Sequence, residues 1–329
     1  MRLAVCWKIR FDDDDRFHFG FGCGQNGGAK RVRREGEGFV RLRGSLPKAS
    51  VGFPLLLAAM WGFAQDPSRG PLGGNQRVQP FKIIGNVYYV GMSDVTSYLI
   101  TTPQGHILID STYASTVPVI RESIETLGFQ MRDIKILLNS HGHNDHQGGH
   151  ALMKELTGAQ ILMSEGDAGS LSESRPDRGP TWKPAKADKV FQDGEQVRLG
   201  GVTMVAHITP GHTKGCTTWT TTVEDNGKRY NVVFVCGVRL GDNAVLVGNK
   251  QYPSIADDFA KSFQRLKELP CDIFLAPHGS FFGLPEKIKR MEQGTGTNPF
   301  VDPQGYRTHI ETMERAYREE LEKERSAAR

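Results

Sequence analysis

Short apolar runs separated by turn residues dominate the chain from residue 80 onwards. The runs predict strands at 87–90, 97–100, 106–110, 134–138, 160–163, 196–199, 202–207, 216–223, 230–235 and 272–276. Apolar residues at helical spacing predict helices at 117–127, 151–156, 255–269 and 309–325. Residues 164–187 are polar and rich in proline, and we predict a long loop there. Helices follow each group of strands, so the pattern predicts one α/β domain over 80–329.

The first 79 residues show neither the strand period nor the helix period. Residues 1–50 combine an acidic run, a Gly-rich stretch and a basic cluster, and we interpret them as a disordered or non-native leader. Residues 51–64 form a short apolar run that ends in Gly62-Phe63-Ala64, which is typical of a signal-peptide h-region and predicts a periplasmic or secreted protein. Its distance from Met1 favours a downstream translation start, and an internal core helix is the alternative. Residues 65–79 are predicted to be an N-terminal arm.

The net charge of +4 could indicate a nucleic-acid partner, but this depends on where the charge lies in the chain. Residues 1–64 carry 11 Lys and Arg against 6 Asp and Glu, whereas residues 65–329 carry 30 against 31. The basic surplus therefore lies in the leader, and the domain gives no reason to expect a nucleic-acid partner. No apolar run reaches the roughly 18–20 residues of a membrane span, and five cysteines exclude a disulfide-dense scaffold.

The most informative motif is the sequence HGHNDH at residues 141–146, directly after a predicted buried strand. It supplies His141, His143, Asp145 and His146, and two later loops supply His212 and His278. Imidazole and carboxylate ligands suit Zn²⁺. Six such ligands suffice for two ions with three protein ligands each, which leaves the open coordination position of a catalytic zinc. The histidines interpreted as structural are His106, His150, His207 and His309.

This order of motifs resembles the metallo-β-lactamase superfamily, and the surrounding sequence is similar to subclass B3 metallo-β-lactamases. The similar segments are 86–90, 108–110, 137–141, 209–220, 252–253, 271–275 and 298–303. The resemblance covers about residues 80–325 and implies a four-layer αββα sandwich with two Zn²⁺ at one edge of its sheets. It assigns His141, His143 and His212 to the first zinc, and Asp145, His146 and His278 to the second.

The resemblance implies a zinc-dependent β-lactamase that gives antibiotic resistance. A metal-bound hydroxide would hydrolyse the amide bond of a small-molecule β-lactam, without a covalent enzyme intermediate. Asp145 and His212 are the predicted catalytic members of the ligand set. The alternative is another dizinc hydrolase of the same superfamily, such as a lactonase or thioesterase.

Three further residues are candidates for roles around the ligands. Asp110 ends a predicted strand and could orient a ligand histidine, or be an ordinary strand-end residue. Arg239 could pair with a substrate carboxylate, because a guanidinium matches a carboxylate bidentately, or be a solvated surface arginine. Trp182, in the polar loop, could form an apolar wall of the cleft or pack locally.

The chain departs from the family pattern after the strand at 230–235. Many superfamily hydrolases carry a metal-bridging Asp there, one lactamase subclass a Cys and subclass B3 usually a Ser, but this chain has Gly237. Two alternatives would still supply a metal ligand in this region: Asp242, if the loop were shifted, or Cys236 as a zinc ligand. Cys216 and Cys236 could also form a disulfide between neighbouring strands or stay reduced.

Overall fold

A computed structural model describes residues 75–173, 183–241, 244–294 and 296–329 of the 329-residue chain. The predicted leader, the signal segment and most of the predicted arm lie outside these residues, as do Trp182 and Asp242. Within the described ranges, no helix is both long enough and apolar enough to cross a membrane.

The described strands form two sheets. The first has seven strands in chain order: β1 (Phe81–Ile84), β2 (Val87–Tyr89), β3 (Tyr98–Thr102), β4 (Gly105–Ile109), β5 (Ile134–Leu138), β6 (Gln160–Ser164) and β7 (Lys189–Phe191). The second has the order β12-β11-β10-β9-β8, with β8 (Gln196–Leu199), β9 (Val202–Ile208), β10 (Thr217–Asp225), β11 (Lys228–Phe234) and β12 (Ile273–Leu275).

Seven α-helices accompany these sheets in the described part of the chain. They are α1 (Val117–Thr126), α2 (Asn144–Gln147), α3 (His150–Thr157), α4 (Glu165–Ala168), α5 (Ile255–Glu268), α6 (Leu284–Glu292) and α7 (Pro303–Ala327).

Alternate residues of the central strands are buried on opposite faces of the first sheet. Leu108 and Leu137 pack in one cluster with the apolar residues of α1 and α3, while Ile107 and Leu138 pack in another with the second sheet. Both clusters are buried because side chains along a strand point alternately to its two faces. Helices α5 and α7 add their apolar residues on the side of the second sheet, where Phe263 belongs to the same cluster as β12. The predicted four-layer αββα sandwich is thus confirmed.

Most of the elements that sequence periodicity did not predict are short or lie at the edges of the sheets, and the nine-residue helix α6 is the exception. Strands β1 and β7 have four and three residues, and α4 has four, in a region predicted as loop. So few residues cannot display a period of 2 or 3.6. Helix α7 begins six residues before the predicted start, with Pro303 in its first turn and the Asp302 side chain accepting a hydrogen bond from the Gly305 N–H.

Parallel pairing brings several strand ends to the same edge of the sandwich. Strands β4, β5, β6 and β7 pair in parallel, as do β11 and β12. The carboxyl ends of parallel strands meet at one edge, so the segments that follow β4, β5, β11 and β12 converge there. These segments carry most of the residues singled out in the sequence.

Candidate metal centre

The loops at this edge bring all six predicted ligands together. Residues 139–146, from the end of β5 into α2, carry four of them. His212 lies in the turn after β9, and His278 follows β12. An isolated antiparallel bridge between Val95 and His278 fixes the last of these segments, together with a Thr96 N–H bond to the Pro277 carbonyl.

The ligands form two adjacent groups of three. The first is His141, His143 and His212, and the second is Asp145, His146 and His278; within each group the ligand atoms lie within 4.8 Å of one another. The imidazole rings of His141 and His146 are 4.2 Å apart between centroids, so the groups adjoin. In the second group, Asp145 Oδ2 lies 3.1 Å from His146 Nε2 and 3.5 Å from His278 Nε2.

Hydrogen bonds on the outer side of the imidazoles fix their orientation. His146 Nδ1 donates to Asp110 Oδ2 at 3.0 Å, and His278 Nδ1 donates to Asp94 Oδ2 at 3.0 Å. His212 Nδ1 donates to the Arg239 carbonyl at 2.8 Å. A neutral imidazole that donates its proton from Nδ1 has Nε2 as its remaining donor atom, so these bonds make Nε2 the atom that would bind a metal.

Asp110 is placed by an unusual backbone conformation. Its φ of 58° lies in the left-handed region that non-glycine residues rarely adopt, although Asp and Asn tolerate it best. The carboxylate is buried and accepts bonds from the Ser140 N–H at 2.7 Å and the Ser140 hydroxyl at 2.6 Å, besides His146. Asp110 therefore contacts both the ligand His146 and the residue that precedes His141.

Two histidines of the first group, His141 and His212, have lowered pKa values that favour the neutral form. Burial, and then the charges of the neighbouring histidines, lowers the pKa of His141 well below its ordinary value. Burial and the charge of His143 lower the pKa of His212 to about 4. A neutral imidazole is the form that binds a metal ion.

The second group has the opposite electrostatic character. Burial acts to raise the pKa of Asp145, but the charges of His146 and His278 lower that pKa well below its ordinary range. Burial acts to lower the pKa of His146, but the carboxylates of Asp145 and Asp110 raise it to about 10. The carboxylates thus favour a positive charge in this group, which a bound cation would supply.

The donor atoms of both groups suit metal ions. Among the described residues, Nε2 of His141 is buried without a hydrogen-bond partner, a costly state for a polar atom unless a ligand satisfies it. Imidazole and carboxylate donors in groups of three match the ligand set of catalytic zinc, with one coordination position left open. Either group could hold a metal ion.

A cavity of about 180 Å³ opens onto the two groups. Five of the six predicted ligands line it, together with Arg239, Leu240 and Phe281. The exposed Arg239 therefore borders the same cavity as the ligands, as its predicted role requires. No position is described for Trp182, so its role stays a prediction.

Gly237 packs against the His212 ring, and a disulfide that includes the preceding residue lies next to Gly237 in the chain. A Cβ placed on Gly237 would lie 2.7 Å from His212 Cδ2, well inside van der Waals contact, so this position excludes a side chain unless the ring moves. Cys216 and Cys236 form a disulfide with their Cα atoms 5.8 Å apart. This bond makes Cys236 unavailable as the alternative zinc ligand, and it decides between the two states that the sequence left open. Cys271 is a free cysteine.

Two residues at the site were not predicted from the sequence. Asp94 lies in the loop after β2 and binds His278 from a distance of 184 residues in the chain, besides accepting a bond from the Ser280 hydroxyl at 2.8 Å. Phe281 packs its ring 5.0 Å from that of His278. The only local signal for either residue was proximity to a turn or to the late histidine.

Comparisons with known proteins agree with this architecture. The family model of the metallo-beta-lactamase superfamily matches residues 90–225. The structure of native FEZ-1 metallo-beta-lactamase from Legionella gormanii is 41% identical with a TM-score of 0.73, over 76% of this chain and 98% of that chain. BJP-1, a subclass B3 metallo-beta-lactamase of Bradyrhizobium japonicum, is 35% identical with a TM-score of 0.72, over 77% of this chain and 97% of that chain.

Curated sequences add a second kind of relative. A hydroxyacylglutathione hydrolase from Methylococcus capsulatus is 26% identical over 156 residues, which is 47% of this chain and 50% of that protein. The chain spans half or less of the length of the first curated relatives that it matches. The match to FEZ-1, by contrast, extends over nearly the whole of that enzyme. The chain therefore belongs to the metallo-beta-lactamase superfamily, and its solved structural neighbours include subclass B3 metallo-beta-lactamases.

Proposed function

We propose that this protein is a β-lactamase that uses two Zn²⁺ to hydrolyse the amide bond of β-lactam antibiotics and so gives resistance to them. The observation that carries the proposal is the convergence of six ligand side chains into two adjoining groups of three beside one cavity. The likeness to FEZ-1 and BJP-1 supports the choice of substrate class.

The residues of the chain divide the work between them. His141, His143 and His212 would hold one ion, and Asp145, His146 and His278 the other. When bound, zinc supplies the Lewis acidity that activates water near neutral pH and stabilises the developing negative charge on the substrate. The Asp145 carboxylate, with one oxygen near both His146 and His278, would also orient the attacking water through a hydrogen bond.

Arg239 would bind the carboxylate that β-lactam substrates carry. Its backbone is fixed, because the Arg239 carbonyl accepts the hydrogen bond from His212 Nδ1. The guanidinium group can then pair with a carboxylate bidentately at the rim of the cavity. Phe281 supplies an apolar wall on the side of His278.

The second candidate is a thioesterase that acts on hydroxyacylglutathione, which the curated relatives favour. Gly237 argues against the thioesterase activity. Hydrolases with that activity carry a metal-bridging Asp at this position, whereas this chain has no Asp between residues 234 and 238.

One experiment compares the two activities on the same preparation. The purified full-length chain, loaded with zinc, is assayed with nitrocefin and with S-lactoylglutathione before and after treatment with EDTA. Nitrocefin hydrolysis that EDTA abolishes and added Zn²⁺ restores supports the proposal, and Asp145→Asn serves as the inactive control. Turnover of the thioester without any turnover of β-lactams would favour the second candidate instead.

We also propose that the protein is exported with residues 51–64 as the signal segment. The Cys216–Cys236 disulfide supports this, because structural disulfides persist mainly in oxidising compartments. Export with cleavage after Ala64 gives mature protein that begins at Gln65. N-terminal sequencing of the periplasmic or secreted protein tests this, and an intact Met1 terminus would contradict it.

A further inference from the structure

A buried carboxylate that is outside the ligand set lies beneath the first group. Asp167 belongs to the short helix α4 and is only 5% exposed. Its Oδ2 atom accepts hydrogen bonds from the Gly142 N–H at 2.8 Å and the Thr213 hydroxyl at 2.6 Å. Its Oδ1 atom accepts a third bond from the Gly215 N–H at 3.0 Å. The carboxylate therefore accepts hydrogen bonds from three donors. An ionised aspartate can accept all three, because both of its oxygens are acceptors and neither carries a proton.

The partners of Asp167 are the immediate neighbours of predicted ligands. Gly142 stands between His141 and His143, and Thr213 directly follows His212. These two segments come from different layers of the fold, since one follows β5 of the first sheet and the other follows β9 of the second. One side chain therefore connects the two segments that carry all members of the first group.

The packing around Asp167 leaves little freedom at this connection. A Cβ on Gly215 would lie 2.2 Å from Ser164 Oγ and 2.4 Å from the Asp167 nitrogen. On the other side, Gln147 Nε2 donates to the Gly142 carbonyl at 2.8 Å, so both the N–H and the C=O of Gly142 are bonded. Near the ligands, the contacts that include or adjoin Asp167 hold the two ligand-bearing segments together, while the Thr217 N–H bond to the Ser140 carbonyl at 2.8 Å joins them further from the ligands.

We propose that Asp167 is a positioning residue that fixes His212 relative to His141 and His143, and thereby sets the zinc affinity of the first group. The inference rests on the proposed zinc sites but adds a residue outside the ligand set. Residues that support metal ligands from behind typically change metal affinity by about 10- to 100-fold when they are replaced.

The substitution Asp167→Asn tests this with little change in shape. An amide has one oxygen where the carboxylate has two, so one of the Gly142 and Gly215 N–H groups must face an NH₂ group. The Thr213 hydroxyl can rotate to accept a bond, but a backbone N–H cannot. We therefore expect the spacing between the segment that contains Gly142 and the segment that contains Thr213 and Gly215 to change while the fold is kept.

Two matched controls separate positioning from general loss of stability. Asp94→Asn removes the carboxylate behind His278, and we expect it to weaken only the second group. Asp188→Asn removes a carboxylate that accepts from the Ile161 N–H and Lys154, and neither partner adjoins a predicted ligand. It should leave the affinity of both groups unchanged.

The measurement is zinc affinity, determined by competition with a chromophoric chelator on the full-length chain. In a His278→Ala background the first group alone remains complete, and in a His212→Ala background the second. Asp167→Asn should weaken zinc binding by about 10- to 100-fold in the first background and by less than about twofold in the second. Asp94→Asn in the His212→Ala background should show a comparable loss.

Equal loss in both backgrounds, or no loss in the first, would overturn the proposal. If Asp167→Asn yields no folded protein, Thr213→Val is measured in the same two backgrounds, because it removes only the hydrogen bond from the Thr213 hydroxyl to Asp167. A selective loss of about threefold or more at the first group would support it, and no loss would overturn it. Zinc binding by the parent chain without β-lactam turnover would refute the proposed function but leave this comparison intact, whereas a parent chain that binds no zinc refutes both.

Discussion

Replacement of Asp110 by Asn should weaken the second metal group by changing the tautomer of His146. Asp110 accepts the His146 Nδ1 proton and both donors of Ser140. An Asn whose oxygen keeps the Ser140 N–H bond turns its NH₂ group towards His146. The imidazole must then accept at Nδ1 and carry its proton at Nε2, where the metal would bind.

The size of the effect follows from the bonds that are lost. A hydrogen bond to a charged group contributes about 1.5–3 kcal/mol, and loss of such support costs about 10- to 100-fold in metal affinity, which corresponds to about 1.4–2.7 kcal/mol. Backbone strain adds little, because Asn tolerates the φ of 58° that Asp110 adopts.

The assay is zinc affinity by chelator competition, together with kcat/KM for nitrocefin at buffered free zinc. We expect Asp110→Asn to lose activity at low free zinc and to regain part of it at high free zinc. Ser111→Ala is the matched control, because the Ser111 hydroxyl contacts His150 and not a predicted ligand. Unchanged zinc affinity in a folded Asp110→Asn protein would refute the tautomer argument.

Three further predictions concern substrate binding and stability. Arg239→Ala should raise KM for penicillins several-fold or more, equivalent to about 1–3 kcal/mol, with a smaller change in kcat; an unchanged KM removes the proposed contact. Replacement of Cys216 and Cys236 by Ser should lower the free energy of unfolding by about 3 kcal/mol for a closed loop of this length, measured by urea denaturation; a change within error would contradict it. Burial lowers the pKa of His309 to about 4. Between about pH 6.5 and pH 4, the unfolded chain therefore binds a proton at His309 that the folded chain does not bind. The free energy of unfolding should fall as the pH falls through this window, by at most about 3 kcal/mol. His309→Phe should flatten that part of the pH–stability profile, and parallel profiles would contradict the assignment.

The sequence by itself was sufficient for the parts of the molecule that local patterns encode. The strand at 134–138 was predicted with the same bounds as β5, because four of its five residues are apolar and are buried on both faces of the sheet, with only Lys135 exposed. The motif at 141–146 places four candidate ligands in one turn, so it is visible without a fold. The resemblance carried by these motifs led to the family and the αββα architecture, which the comparisons and the structure confirm.

Tertiary structure alone decided which residues outside the predicted ligand set meet the ligands. Asp94 and His278 are 184 positions apart, and Asp167 reaches residues 25 to 48 positions away. Neither aspartate belongs to a periodic pattern or a metal-ligand spacing, so nothing local distinguishes it from other acidic loop residues. The bond between Cys216 and Cys236 likewise depends on the pairing of β10 with β11. Side-chain partners at a sheet edge are set by which strands pair in parallel and end together, and that is a property of the packed sheets rather than of any one segment.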